Sequence, residues 1–361
     1  MDISDLVALT LQAKAGTAKA DVDGDGSSTT DDIKVLRKAL IGITDYIDTP
    51  MYSFGNYTPY GTAISSEYQY VWGDEFDGAS LDSQKWGIYG KMNGSSVGYA
   101  YTGSNGNYTF TDEVVDYTGD VVCSKDESAI AVEDGNLRLS AYKTEDGKYV
   151  VPTSVVTQNT MNFKYGYVEI RAKFPVQDGI WSSWWTKSVF DKSDTNNLVI
   201  PDTNLGAEVD MIEVFDTDQA TFNIIKWWEK EDGSFGSWYP NDAPRAHTQT
   251  ITNDRYYVFG YEWTEDEVIM YCDGVEYGRY DISEPYTELV DGRNTIADTS
   301  GTGMEGFDAH QFLIFNNHLF YPTVSSAGMF ITENLDFTQA DYLIDYCRVY
   351  QKPGVGDIVT K

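Results

Sequence analysis

Three carboxylates stand within six residues at Glu208-Val209-Asp210-Met211-Ile212-Glu213, separated only by apolar side chains. Successive side chains of a strand point to opposite faces, so Glu208 and Asp210 share one face while Val209 points into a core. Glu213 follows Glu208 by five positions and falls on the wrong face of a regular strand. One inserted residue, a β-bulge around Met211-Ile212, returns it to the Glu208 face. Carboxylates crowded on one surface repel one another, so chance surface chemistry rarely builds such a row. Glycoside hydrolysis uses one: a retaining mechanism needs two carboxyls about 5–5.5 Å apart, one ionised as nucleophile and one protonated as acid. A third between them can hydrogen-bond the nucleophile and hold the two ionisations apart. The plainer reading of the run is an acidic edge strand kept soluble by its charge.

The rest of the composition narrows the partners. The 361 residues carry 57 acidic and 25 basic side chains, a formal net charge of −32. Nucleic acid and anionic membrane surfaces are repelled by such a chain, whereas a neutral polysaccharide and calcium are not. Aromatic residues reach 14%, led by 27 Tyr and 9 Trp; flat aromatic faces suit sugar clefts and all-β cores alike. No stretch is long and apolar enough to span a bilayer. No signal peptide is visible at Met1-Asp2-Ile3-Ser4, and the start reads as that of a processed or trimmed chain. Cys123, Cys272 and Cys347 form an odd set without metal spacing, which reads as buried thiols, and His247, His310 and His318 are too scattered for a metal site.

Residues 1–47 differ from everything after them. Asp21-Val22-Asp23-Gly24-Asp25-Gly26-Ser27-Ser28-Thr29-Thr30-Asp31-Asp32 has carboxylates at loop positions 1, 3, 5 and 12, and glycine at position 6 where a calcium loop turns sharply. The expected calcium ligands are Asp21, Asp23, Asp25, the Ser27 carbonyl and Asp32, with Thr29 supplying a hydroxyl or a bound water. A helix follows, with Ile33, Leu36, Leu40 and Ile41 on one stripe and Gly42 as its stop. This segment resembles a dockerin, the duplicated calcium-loop-and-helix module that plugs enzymes into cellulosome scaffolds through a cohesin. The second repeat is complete, and the first survives only from Ser4 to Gly16. One structural calcium is expected, and a plain calcium-stabilised element is the alternative.

Residues 48–66, with Pro50 and Pro59, read as a linker. From 67 to 353 the pattern is all-β. Alternating stretches recur at Asn136–Tyr142, Tyr165–Phe174, Glu208–Phe215, Thr221–Trp228, Tyr256–Trp263, Glu267–Cys272, Gln311–Asn316 and Tyr342–Tyr350. Asp-Gly turns at 134–135, 146–147, 232–233 and 273–274 separate them. Many short strands over this length imply a two-sheet β-sandwich with one sheet curved into a cleft. Residues 354–361 are expected as a C-terminal tail.

The motifs of this region follow an order that resembles glycoside hydrolase family 16, the retaining endo-glucanase and galactanase jelly roll. They are Trp72-Gly73-Asp74-Glu75-Phe76-Asp77-Gly78, Tyr165-Gly166-Tyr167-Val168-Glu169-Ile170-Arg171-Ala172-Lys173, Gly179-Ile180-Trp181-Ser182-Ser183-Trp184-Trp185, the Glu208–Glu213 run, Tyr261-Glu262-Trp263, Tyr271-Cys272-Asp273-Gly274 and Ile344-Asp345-Tyr346-Cys347-Arg348-Val349-Tyr350. The resemblance implies Glu208 as nucleophile, Glu213 as general acid and then base, and Asp210 as support for the nucleophile. Its bulged spacing is closer to the laminarinase, agarase and carrageenase branches than to the unbulged ones. It also implies a structural calcium on the convex side, held by Glu75, the Gly135 carbonyl and Asp345. Trp181 and Trp185 share a strand face and are the expected sugar-stacking residues, with Trp184 turned to the core. Of Trp227 and Trp228, one should reach the cleft, and Trp227 is chosen. Glu169 and Arg171 are expected to pair structurally.

Three positions depart from the family pattern. Lys226 stands where a histidine is frequent; pointed at Glu213 it would favour the ionised acid, and the alternatives are that it faces out or binds a substrate hydroxyl. Tyr257 replaces a second histidine, and Asn316–Phe320 replaces a glycine-rich cleft border. The implied protein is a secreted, monomeric, cellulosome-associated endo-β-glucanase acting on β-1,3 or mixed β-1,3/1,4 glucan. A β-galactan hydrolase on the same scaffold and a non-catalytic carbohydrate-binding protein are the alternatives. Sulfated galactans fit less well, because the few basic residues are spread through an acidic chain.

Overall fold

A computed structural model describes residues 67–88, 90–92, 95–97, 121–124, 126–147, 149–177, 179–189, 198–199, 205–214, 218–229, 235–238, 247–283, 306–319 and 335–361. The calcium loop and helix of residues 1–47, the 48–66 linker, the Asp232-Gly233 turn and Phe320 lie outside these residues.

Within them the chain forms two large sheets. One has eight strands, in the order Val275–Asp281, Glu267–Cys272, Tyr257–Trp263, Gly166–Lys173, Asp341–Gln351, Asn136–Ser140 and Ile130–Glu133, with Gln69–Asp74 added along Asp341–Gln351. The other has nine, in the order Phe235–Trp238, Gln219–Glu229, Leu205–Val214, Ile180–Ser188, Gln311–Leu319, Met161–Lys164 and Asp357–Thr360. His247–Thr250 extends this second sheet along Gln219–Glu229, and Val155–Val156 extends it along Gln311–Leu319. Apart from the small pairing of Val121–Ser124 with Tyr149–Pro152, the ladders are antiparallel. The sole helical element among the described residues is a 3₁₀ turn at Phe337–Gln339. The architecture is the all-β sandwich that the alternation implies. Its last strand, Asp357–Thr360, pairs with Met161–Lys164, so the supposed tail is a working edge of the sheet.

Two turns set neighbouring registers. Asp134-Gly135 and Asp273-Gly274 have positive φ at both positions (52° and 72°, 48° and 77°), the backbone that a two-residue hairpin needs to match strand twist. The core lies between the sheets. Trp184, Val209, Met211, Ile212, Phe222 and Ile224 from one sheet meet Val168, Ile170, Phe259, Tyr261, Ile344 and Val349 from the other, all essentially inaccessible to solvent. Each such side chain contributes roughly 1.5–3 kcal/mol through burial. Their opposite neighbours on the second sheet are thereby forced onto its other face, where the acidic run emerges. Cys272 and Cys347 are buried free thiols.

Candidate active site

The acidic strand runs from Leu205 to Val214 between Ile180–Ser188 and Gln219–Glu229. Glu208 faces Ile225 and Asp210 faces Asn223, but Glu213 faces Thr221. Met211 and Ile212 together therefore oppose the single residue Phe222, which is the bulge expected from the Glu208–Glu213 spacing. Both bulge residues are fully buried. Their apolar side chains hold the irregularity in place, since sliding the register by one would expose them and bury Glu213. The bulge also takes the Met211 carbonyl out of the regular ladder, and the Tyr277 hydroxyl donates to it at 3.3 Å.

On the exposed face of this sheet the ladder sets Lys187 opposite Glu208 and Ser183 opposite Glu213 on one side, with Asn223 and Thr221 on the other. Glu208 Oε2 accepts hydrogen bonds from Lys187 Nζ (3.1 Å) and the Trp227 indole N–H (3.0 Å). Lys187 Nζ also lies 4.6 Å from the centre of the Trp227 ring, a cation–π contact that packs the two donors together. The three carboxyls differ electrostatically. Burial, then the charges of Glu213 and Glu208, push Asp210 well above the usual carboxylate range, while Lys187 opposes the shift. Burial and the Glu208 charge push Glu213 up to about 7, against a hydrogen bond from Trp181. Glu208 with its two donors, beside an Asp210 whose carboxyl is raised well above the usual range and a Glu213 that still holds its proton near neutrality, is an arrangement that can supply a nucleophile and an acid.

The tryptophans divide. Trp184 is in the core, as its place in the alternation implies. Trp181 lies half-buried on the cleft face beside Glu213. Trp185 is on the same face but only 5% exposed, packed with Val156, Val189, Phe312 and Ile314. Its N–H donates to Asn316 Oδ1 at 2.7 Å, and Asn316 donates to Ser154 Oγ at 2.5 Å. It is therefore a fixed part of the cleft wall, not the open stacking surface expected from sequence. Trp227 does reach the cleft, and there it holds Glu208. Trp227→Phe is expected to keep the fold and lose kcat by about 10- to 100-fold, one charge-assisted hydrogen bond to the reacting carboxylate being worth about 1.5–3 kcal/mol; steady-state kinetics with a circular dichroism control measures it.

Lys226 pairs with Ala207 and with Trp238, on the face opposite to Glu208, so it does not point at Glu213. Among the described residues, Lys187 is the cation that contacts the acidic run. Sequence reading stopped at Trp185 on that strand, although the same alternation carried two positions further puts Lys187 on the cleft face. Tyr257 is 4% exposed within the core, away from the trio. Asn316 and His318 lie on the cleft side of Gln311–Leu319, opposite Ser183 and Trp181.

The convex-side calcium meets a different donor set. Glu75 accepts from Arg348 Nε and Nη2, both at 2.8 Å, and Asp345 pairs with Arg171 Nη1 at 3.4 Å. Both carboxylates that the resemblance assigns to a calcium thus face a guanidinium in this structure. Arg171 pairs with Asp345, not with Glu169, which instead accepts from the Tyr346 hydroxyl at 2.8 Å. Among the described residues no group of three or more His, Cys, Asp or Glu side chains is arranged to hold a metal.

The chain is 24% identical over 311 residues to glucan endo-1,3-beta-glucosidase A1 of Niallia circulans, covering 82% of this chain and 39% of the relative. It is 24% identical over 156 residues to endo-1,3-1,4-beta-glycanase ExsH of Rhizobium meliloti, covering 42% of this chain and 29% of the relative. The chain thus spans well under half the length of either. Among solved structures, SCLam, a non-specific endo-beta-1,3(4)-glucanase from family GH16, superposes with a TM-score of 0.52 at 21% identity, covering 83% of this chain and 97% of its own. A chain from work on prominent human gut microbes, which express endo-acting O-glycanases to initiate mucin breakdown, gives 0.54 at 20% identity, covering 82% and 95%. The profile of Glycosyl hydrolases family 16 matches residues 118–290, the segment that contains the bulged acidic strand and its neighbours. The sandwich built around Glu208, Asp210 and Glu213 is thus similar to the family 16 glycosyl hydrolases over residues 118–290.

Proposed function

We propose that this domain is a retaining endo-β-glucanase that cuts β-1,3 or mixed β-1,3/1,4 glucan. The observation that carries the reading is the bulge at Met211-Ile212, which brings three carboxyls to one sheet face, with Asp210 and Glu213 pushed up by burial and by their neighbours' charges. Glu208 attacks the anomeric carbon, the bond to the glycosidic oxygen breaks, and Glu213 passes its proton to that oxygen. The sugar is then held as an ester on Glu208. Water attacks the same carbon, Glu213 takes a proton from it, and Glu208 leaves as a carboxylate, so the anomeric configuration is retained. Asp210, kept neutral by burial between two glutamates, is the hydrogen-bond support of Glu208. Trp181 lies beside the acid and is the candidate for contact with the sugar next to the scissile bond.

The preference for glucan is supported by the two glucanase relatives and by SCLam, a mutant of which was co-crystallised with 1,3-beta-D-cellotriosyl-glucose. A β-galactan-directed hydrolase of the same fold is the second reading; the likeness to a chain from work on endo-acting O-glycanases that initiate mucin breakdown keeps non-glucan substrates open. Reducing-sugar release from laminarin, barley β-glucan, lichenan, xyloglucan and β-galactan, by the wild type and Glu208→Ala, tests both. Release from laminarin or a mixed-linkage glucan that disappears in Glu208→Ala is the expected result. Release from β-galactan alone would move the second reading ahead, and no release by folded protein would favour a sugar-binding role. The calcium-loop segment at Asp21–Asp32 is proposed to hold one structural calcium and, in a chain with both repeats, to dock a cohesin on a secreted complex; isothermal titration with calcium checks the first part.

A further inference from the structure

Lys187 is 1% exposed, yet its ammonium has no place in the two-carboxyl reaction. It lies at the end of Ile180–Ser188, opposite Glu208 in the ladder, and its Nζ is fixed between Glu208 Oε2 at 3.1 Å and the Trp227 ring at 4.6 Å. A buried lysine loses its hydration, and an anion beside it offsets that loss. Here that anion is the nucleophile. We propose that Lys187 is a positioning residue that keeps the negative charge of the acidic cluster on Glu208 and thereby speeds the return of Glu208 from the glycosyl ester.

This inference rests on Glu208 being the nucleophile. When the ester forms, one negative charge leaves Glu208 and one appears on Glu213, which has given its proton to the leaving oxygen; the total is unchanged. Lys187 touches Glu208 and not Glu213, so it stabilises the charge distribution before ester formation and after hydrolysis. It therefore makes Glu208 a better leaving group in the second step, at some loss of nucleophilicity in the first. Among the described residues, three neighbouring strands present side chains to Lys187. The acidic strand presents Glu208 and Asp210, and Lys187 opposes the upward shift of the latter. Gln219–Glu229 presents Trp227, and Gln311–Leu319 presents Phe312 directly opposite. His318, opposite Trp181 at the far end of the strand, is pushed down to about 4 by burial and is neutral at working pH.

The test is the pH profile and the split between kcat and KM on laminarin for Lys187→Met and Lys187→Arg. For Lys187→Met the acid limb of kcat/KM moves to higher pH by about one unit or more, as expected when a cation within 4 Å of a carboxylate is removed. Its kcat falls by about tenfold or more, with KM falling alongside because the ester accumulates. Lys187→Arg keeps both limbs close to those of the wild type. An unmoved acid limb in folded Lys187→Met, or an arginine variant that shifts it equally, overturns the proposal. A second measurement needs no substrate: thermal unfolding of Lys187→Met, Glu208→Gln and the double variant. Non-additivity of several degrees is expected, with the double variant more stable than the sum of the singles implies. Additive effects would overturn the ion pair itself. If the wild type releases no sugar while this cycle couples, the functional reading has failed and the pairing stands; Lys187→Gln replaces the methionine variant should that one not fold.

Discussion

Glu208→Gly is expected to lose on the order of 10⁴-fold or more in kcat, the scale seen when a covalent nucleophile is removed from a catalytic group that acts as a unit. Azide should then restore turnover of an aryl β-glycoside with a good leaving group. The small anion fits the space left by the carboxylate and attacks from that side, so the product is the α-glycosyl azide. The same experiment on Glu213→Ala gives the opposite stereochemistry. There the ester on Glu208 still forms, and azide attacks it from the side that water would use, giving the β-glycosyl azide. One pair of variants and one nuclear magnetic resonance spectrum of each product thus assign both roles. An α-azide from Glu213→Ala, or a β-azide from Glu208→Gly, would exchange the two assignments. The structural basis is the ladder: Glu208 carries the Lys187 and Trp227 donors that suit an anion, whereas burial and the Glu208 charge push Glu213 up to about 7, so that it keeps its proton.

The second large effect concerns pH. Glu213, pushed up to about 7 by burial and by Glu208, must hold its proton to cleave the first bond. Activity should fall as pH rises through about 7, and Glu213→Gln should abolish that basic limb. The glutamine variant loses about 10²- to 10⁴-fold on glucan, where the leaving sugar needs a proton, and far less on an aryl glycoside, where it does not. Stability carries the same signature with a definite sign. A carboxyl whose folded value lies above its unfolded value, 4.5 for Glu213, binds its proton more tightly when folded. Stability is then full below about pH 4.5 as far as this group is concerned, and is lost as pH rises toward 7. At pH 8 Glu213→Gln should unfold later than the wild type, by roughly 3 kcal/mol before relaxation of the cluster reduces it. Asp210→Asn should act in the same direction, since burial raises that carboxyl too. Denaturant melts at pH 5 and pH 8 measure both; a glutamine variant less stable at pH 8 than the wild type would count against a protonated acid.

The site and the fold were legible in the sequence to different depths. Alternation is a local property, so strands such as Glu267–Cys272 are found end for end, and Tyr257–Trp263 and Gly166–Lys173 within a residue. The bulge was legible too, because three carboxylates at spacings of two and three cannot share a regular face. Chain ends of strands were not, since Leu205, Gln219 and Asp341 extend ladders whose partners lie far away in sequence. The Asp357–Thr360 strand is the extreme case, as its short run of apolar residues becomes a strand only beside Met161–Lys164.

What the sequence determined by itself was the chemistry: which residues are acids, how far apart they stand along one strand, and which face each takes. Those follow from a two-residue period and one inserted residue. The tertiary structure decided which neighbours give each acid its charge state. Lys187 rather than Lys226 is the cation at the site, because the ladder puts Lys226 opposite Ala207 and Lys187 opposite Glu208. Trp185 became wall and Trp227 a donor for the same reason: exposure and hydrogen bonding depend on the strand across the ladder, which no local pattern names. Burial depth, which separates Asp210 and Glu213 from ordinary surface carboxylates, exists only once the flanking strands set their own side chains around these two on the cleft face.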